Sequence, residues 1–110
     1  MDRNEQQEIS VALNLLWKQF LPRMEERVAV LEEAAAAFAT NRLSDAAHHT
    51  ASAAAHKLAG SLGSFGLTRG TVLARELEFL YSQENGPDPE MSTKLASLAA
   101  QLRSLITNHK

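Results

Sequence analysis

The chain contains no cysteine. Disulfides, thiolate nucleophiles and cysteine-based zinc sites are therefore excluded, and the composition fits a reducing, cytoplasmic setting. Aromatic residues make up only 5% of the chain. Its apolar content is carried by Ala and Leu, which favour helix over sheet. The net charge of −2 gives no single-sign field of the kind that nucleic acid or an anionic membrane would require. No apolar run approaches the roughly 20 residues of a membrane span. The stretch Met1 to Ser10 is polar, with Asp2, Glu5 and Glu8, and does not read as a signal peptide. The chain of 110 residues is long enough for one modest core, so a single domain over 1–110 is expected.

What is present is helical periodicity. Ile9, Leu13, Leu16 and Phe20 share one face of a short amphipathic helix over 5–21, with Ala12 and Trp17 beside it. Pro22 is expected to end it. Met24, Val28, Leu31, Ala35 and Phe38 step by alternating fours and threes, a bundle-type seam on a second helix over 23–41. Ser44 is an N-cap and Asp45 a first-turn acid for a third helix over 45–64. Thr68 is expected to cap a fourth over 69–84, whose stripe is Leu73, Leu77 and Leu80. Asn85-Gly86-Pro87-Asp88-Pro89 is a loop. Asp88 and Pro89 then open a fifth helix carrying Met91, Leu95, Leu98, Leu102 and Leu105. Helices of this length joined by short connections run antiparallel to their neighbours. The expected fold is all-α: an antiparallel up-down four-helix bundle, with an additional short N-terminal helix packed on as a lid. These stripes account for one bundle with no apolar face to spare, so a monomer is expected.

The third helix holds the stretch that organises the rest. Its apolar stripe runs Ala47, Ala51, Ala54, Leu58, Leu62, Phe65. His56 lies two residues from Leu58, about 200° round the helix, and so points away from the core. The neighbours expected to surround it are Ser52, Ala53, Ala59, Gly60 and Gly63, all small. A glycine inside a helix is destabilising by roughly 1 kcal/mol relative to alanine. A histidine in a patch cleared at that cost points to something large that must reach it.

A partner for His56 follows from register. With the hairpin midpoint near Leu67, His56 is eleven residues before it and Glu78 eleven after. Both then lie roughly 16 Å from the turn. Glu78 flanks the core stripe and is placed to accept a hydrogen bond from one ring nitrogen of His56, leaving the other as a free lone pair. A histidine beside a glutamate is ordinarily plain surface, but plain surface does not explain the glycines.

His56-Lys57-Leu58-Ala59-Gly60-Ser61, then Gly63-Ser64-Phe65-Gly66, then Leu77-Glu78, resembles the histidine-containing phosphotransfer (HPt) domains of multistep two-component signalling, with their motif His-x-Leu-Lys-Gly-Ser. The resemblance covers roughly 5–109 and implies a five-helix arrangement with a four-helix core. It implies that His56 accepts a phosphoryl group from the aspartyl phosphate of a receiver domain and passes it to another receiver. Glu78 falls where the family often places the residue that holds the inner ring nitrogen, and Gly60 and Gly63 would clear the docking surface. The family's usual lysine three residues after the histidine is Ala59 here. Lys57 is the available substitute for stabilising the phosphoryl charge. The chain would need no cofactor of its own, with Mg²⁺ expected on the partner receiver, and would be a phosphohistidine carrier rather than an independent enzyme.

Two other readings compete: a helical-bundle interaction module with an inert histidine, and the kinase-phosphorylated acceptor domain of a chemotaxis-type histidine kinase. The remaining residues read as bland. His48 and His49 lie about 10–12 Å along the helix from His56, too far to share a metal with it, and are expected to be solvated; His109 is expected to sit in a frayed terminus. Gly60-x-x-Gly63-x-x-Gly66 lacks the preceding strand and following Lys of a phosphate loop. Trp17 and Phe20 are expected to pack lid to bundle and Glu76 to face solvent; Arg69 and Arg75 lie on the fourth helix, where Arg75 is near enough in register to rim the docking face, but both are expected to be solvated.

Overall fold

The computed structural model describes residues 3–109; residues 1, 2 and 110 of the expected unit lie outside it. Among the described residues there is no strand. The elements are α1 (Arg3–Ala39), α2 (Asp45–Ser64), α3 (Thr68–Tyr81), a 3-10 turn (Pro89–Met91) and α4 (Ser92–Asn108). α1 packs on α2 and α4, and α3 closes the ring against the same two helices. The four-helix bundle is thus as expected. No helix among the described residues is long and apolar enough to cross a membrane.

The first two expected helices are one. α1 runs 37 residues straight through Pro22. Proline removes the bond to the carbonyl four residues back, at Lys18, and disfavours a helix interior by about 3 kcal/mol. Trp17 and Met24 are buried on either side, with Leu21 half-buried between them. Each fully buried large side chain stabilises by about 1.5–3 kcal/mol, which together outweighs the proline. The first half of α1 is therefore no lid. Ile9, Leu13, Leu16 and Phe20 are 41–45% exposed, so the helix does present an apolar face that the bundle leaves uncovered. Its root is anchored: the Trp17 ring stands edge-on to Phe65 at 5.2 Å and to His109 at 4.2 Å, and the Phe20 ring, though 41% exposed, also meets Phe65 at 6.3 Å. His109, expected in a frayed terminus, is half-buried there against Trp17.

The core is built from the predicted stripes. Met24, Val28 and Leu31 of α1, Leu58 and Leu62 of α2, Leu77 of α3, and Leu95, Leu102 and Ile106 of α4 are fully buried. Tyr81 rather than Leu80 completes the α3 stripe, and Ile106 rather than the expected Leu105 completes that of α4. α3 ends there, three residues before its expected end, and Thr68 is its first residue instead of its cap. Asp88 caps the 3-10 turn through the Glu90 backbone N–H, as its position predicts.

The α2–α3 connection sets the register on which the site depends. Gly66 takes φ +77°, and its N–H donates to the Gly63 carbonyl at 3.0 Å. The Leu67 N–H donates to the Leu62 carbonyl at 2.9 Å. This is a Schellman ending, which satisfies two terminal carbonyls and reverses the chain in three residues.

The α3–α4 loop folds over His48, which is half-buried instead of solvated. Its ring lies between Phe38 at 6.3 Å and Tyr81 at 6.0 Å. Gly86 has φ +72°, and a Cβ there would stand 2.9 Å from the His48 Cε1. The flanking rings hold that imidazole in place. Gly86→Ala is therefore expected to destabilise by about 2 kcal/mol, the left-handed strain plus a displaced ring, measured as a lowered urea midpoint at unchanged slope.

Candidate functional site

α2 presents its two sides very differently. Ala51, Ala54, Ala55, Leu58, Ala59 and Leu62 are buried, while Ala53, His56, Lys57, Gly60 and Gly63 are exposed and Ser52 is half-buried. The His56 side chain is 72% exposed. Its Nδ1 lies 2.7 Å from Oε2 of Glu78, whose side chain is 29% exposed. A carboxylate accepts, so Nδ1 carries the proton and donates, and Nε2 keeps its lone pair toward solvent. The two residues meet across α2 and α3, equidistant from the turn.

Small residues bring the two helices together at this point. A Cβ on Gly70 would stand 2.8 Å from Cδ1 of Leu62, and one on Gly63 would stand 3.3 Å from Oγ1 of Thr71. The Thr71 hydroxyl donates to the Ala59 carbonyl at 3.0 Å. Around Gly60 a Cβ would meet nothing within 4 Å. The glycines thus divide the work. Gly60 leaves open space beside His56, and Gly63 and Gly70 admit the neighbouring helix.

Ala59 does not belong to the surface patch. It is 2% exposed and lies beneath α3, in line with Ala51 and Ala55 at intervals of four. A small residue is what lets α3 approach here. Lys57 is exposed and pairs with no described residue. Glu76 and Arg69, expected to face solvent, are engaged: Glu76 with Lys94 at 2.6 Å, and Arg69 with Gln101 at 3.1 Å. Arg75 is exposed and has no partner among the described residues. No group of three or more His, Cys, Asp or Glu side chains suited to a metal occurs among the described residues.

Two supporting contacts have no signature in the sequence. Besides Thr71 to Ala59, Arg27 of α1 donates to the Ser61 hydroxyl at 3.2 Å and ties α1 to the turn of α2 that follows His56. Both rest on pairings between helices, and no periodicity announces them. Burial pushes the Tyr81 phenol up to about 12. It is therefore neutral near neutral pH, and it sits near His48, well down α2 from His56.

A family model for the Hpt domain matches residues 15–108. The protein RcaC of Microchaete diplosiphon is 30% identical over 100 residues, which cover 91% of this chain and 15% of RcaC. The chain thus spans a small part of that relative's length. No solved structure matches.

Proposed function

The chain belongs to the Hpt domain family, whose chemistry is phosphotransfer, and from that premise we propose that His56 is its phosphoacceptor. The carrying observation is the 2.7 Å contact between Nδ1 and Glu78, which leaves a lone pair on an exposed Nε2. In the reaction, that lone pair attacks the phosphorus of a receiver's aspartyl phosphate. The N–P bond forms as the bond from phosphorus to the carboxylate oxygen breaks, and the aspartate leaves as a free carboxylate. The reverse step delivers the phosphoryl group to the aspartate of a second receiver. Such transfers are governed by positioning and charge neutralisation. Glu78 supplies positioning, holding the ring and favouring the positive charge that develops on it.

The receiver contact centres on His56, with Ala53, Gly60 and Gly63 of α2 beside it and Ser52 at its edge. Val72 and Phe79 of α3 are exposed on the neighbouring helix, and this reading takes them as the apolar extension of the contact. A patch of small residues with a few large apolar groups fits a transient interface. Glu78, the carboxylate nearest the reacting nitrogen, is already committed to the ring. This reading therefore leaves Mg²⁺ with the receiver, and both partners in the cytoplasm.

The test is transfer. The protein, mixed with a phosphorylated receiver domain and Mg²⁺, is expected to acquire an acid-labile, base-stable phosphate that maps to the peptide containing His56. A folded protein that no receiver labels would overturn the reading. Glu78→Ala is expected to slow labelling about tenfold by freeing the ring to choose tautomer and rotamer, whereas Glu78→Gln, which still offers an acceptor, retains most of the rate. Stopped-flow or quench time courses check both.

A further inference from the structure

Among the described residues, two cations on α2 and α3 have no partner, Lys57 and Arg75; the others near them are held. Arg27 is held by Ser61, Arg69 by Gln101, and Lys94 by Glu76. Arg75 has acidic neighbours at Glu76 and Glu78 on its own helix, yet pairs with neither. Both are taken: Glu76 by Lys94 at 2.6 Å, and Glu78 by His56 at 2.7 Å. An exposed guanidinium whose nearest carboxylates are engaged elsewhere is available for another anion.

Its position points to which one. His56 opposes Glu78, and Gly63 opposes Thr71. The register between those two pairs puts Arg75 level with Ala59 and Gly60, one turn from the His56–Glu78 pair. Ala59 is buried and Gly60 has open space where a Cβ would stand, so α2 carries no side chain that would block a long arm crossing from α3. Lys57, the other unpaired cation, sits one residue from His56, about 100° round α2. It is a point charge, whereas a guanidinium offers a planar fork that matches two phosphoryl oxygens at once.

We infer that Arg75 is the phosphoryl-binding group of this site, donating two hydrogen bonds to the oxygens of the phosphoryl group on Nε2 of His56. The inference rests on His56 as acceptor, but not on any receiver. The engagement of Glu78 then serves twice: it orients the imidazole and leaves the arginine free. Arg75 also steadies the loaded state. Two charge-assisted hydrogen bonds to the phosphoryl oxygens stabilise the loaded ground state, so their loss shortens the lifetime of the phosphohistidine.

The test loads the isolated protein with phosphoramidate, whose P–N bond to ammonia breaks as the bond to Nε2 forms. Failure of receiver transfer and failure of this inference are then separate results. ¹H–¹⁵N spectra follow the Arg75 Nε–H, assigned by its absence in Arg75→Gln. On loading, this resonance is expected to move and sharpen in the wild-type protein and to stay fixed in His56→Gln. Phosphohistidine in Arg75→Gln is expected to hydrolyse about two- to fivefold faster at an unchanged melting temperature, the size of one exposed charge-assisted pair. Arg75→Lys should recover only part of the lifetime. An Arg75 resonance that does not respond to loading overturns the inference, as does a lifetime that falls in Lys57→Gln and not in Arg75→Gln.

Discussion

Replacing His56 by glutamine is expected to remove all phosphate incorporation from a phosphorylated receiver while leaving the fold intact. Glutamine has no nitrogen lone pair with which to attack phosphorus, so the loss should exceed 100-fold, down to the detection limit (order-of-magnitude estimate). The fold should hardly notice. His56 is 72% exposed, and its one hydrogen bond among the described residues is with Glu78, to which a glutamine amide can also donate. Exposed substitutions usually change stability by less than about 0.5 kcal/mol, a shift of a few degrees in melting temperature. Circular dichroism and acid-lability mapping on the same preparation give both halves of the result. Label that survives the substitution would place the phosphate on another residue, and His49 would be the first to test as the other exposed imidazole of α2.

The second large effect lies two residues along the same helix. Leu58→Ala is expected to destabilise the protein by about 2–5 kcal/mol. Leu58 is fully buried among the side chains of the bundle core, so the truncation loses transfer free energy and leaves a cavity that four packed helices cannot readily close. For a protein of this size the melting temperature should fall by roughly 10–30 °C. Urea titration should show a lower midpoint, and the phosphoacceptor chemistry should persist at temperatures where the variant is folded. A change below about 1 kcal/mol would mean that α2 does not turn this face inward. The two substitutions separate the roles of one helix: its outer face carries the chemistry and its inner face the stability.

Much of the site is legible in the sequence. His56 and Leu58 are about 200° apart on any helix, so a buried Leu58 forces His56 outward. The pairing with Glu78 needed only a turn at a known place, and Gly66 marks that turn because a left-handed residue favours glycine. Ala59 was harder. Its spacing from His56 puts it on the edge between the two faces, and an alanine is equally at home on either. Only the close approach of α3, with Thr71 bonded to its carbonyl, decides that it is buried. The burial of His48 is hidden for a related reason: nothing in α2 itself says that a loop near Gly86 and the rings of Phe38 and Tyr81 close over it.

The sequence by itself determined an all-helical bundle, the inward and outward faces of α2, the turn that pairs it with α3, and the histidine that the pairing presents. These follow from periodicity and turn chemistry, which act between residues near each other along the chain. Tertiary structure alone decided that α1 continues through Pro22, that its first half stands away from the bundle with an apolar face exposed, that Ala59 lies under α3, and that Arg75 is left unpaired. Each of those outcomes is a competition between a local preference and contacts with distant residues. Proline yields to the burial of Trp17 and Met24, and an arginine loses its adjacent carboxylates to a histidine and a lysine on other helices. Such contests are settled by which side chains the folded chain brings within reach, and neither spacing nor composition records that.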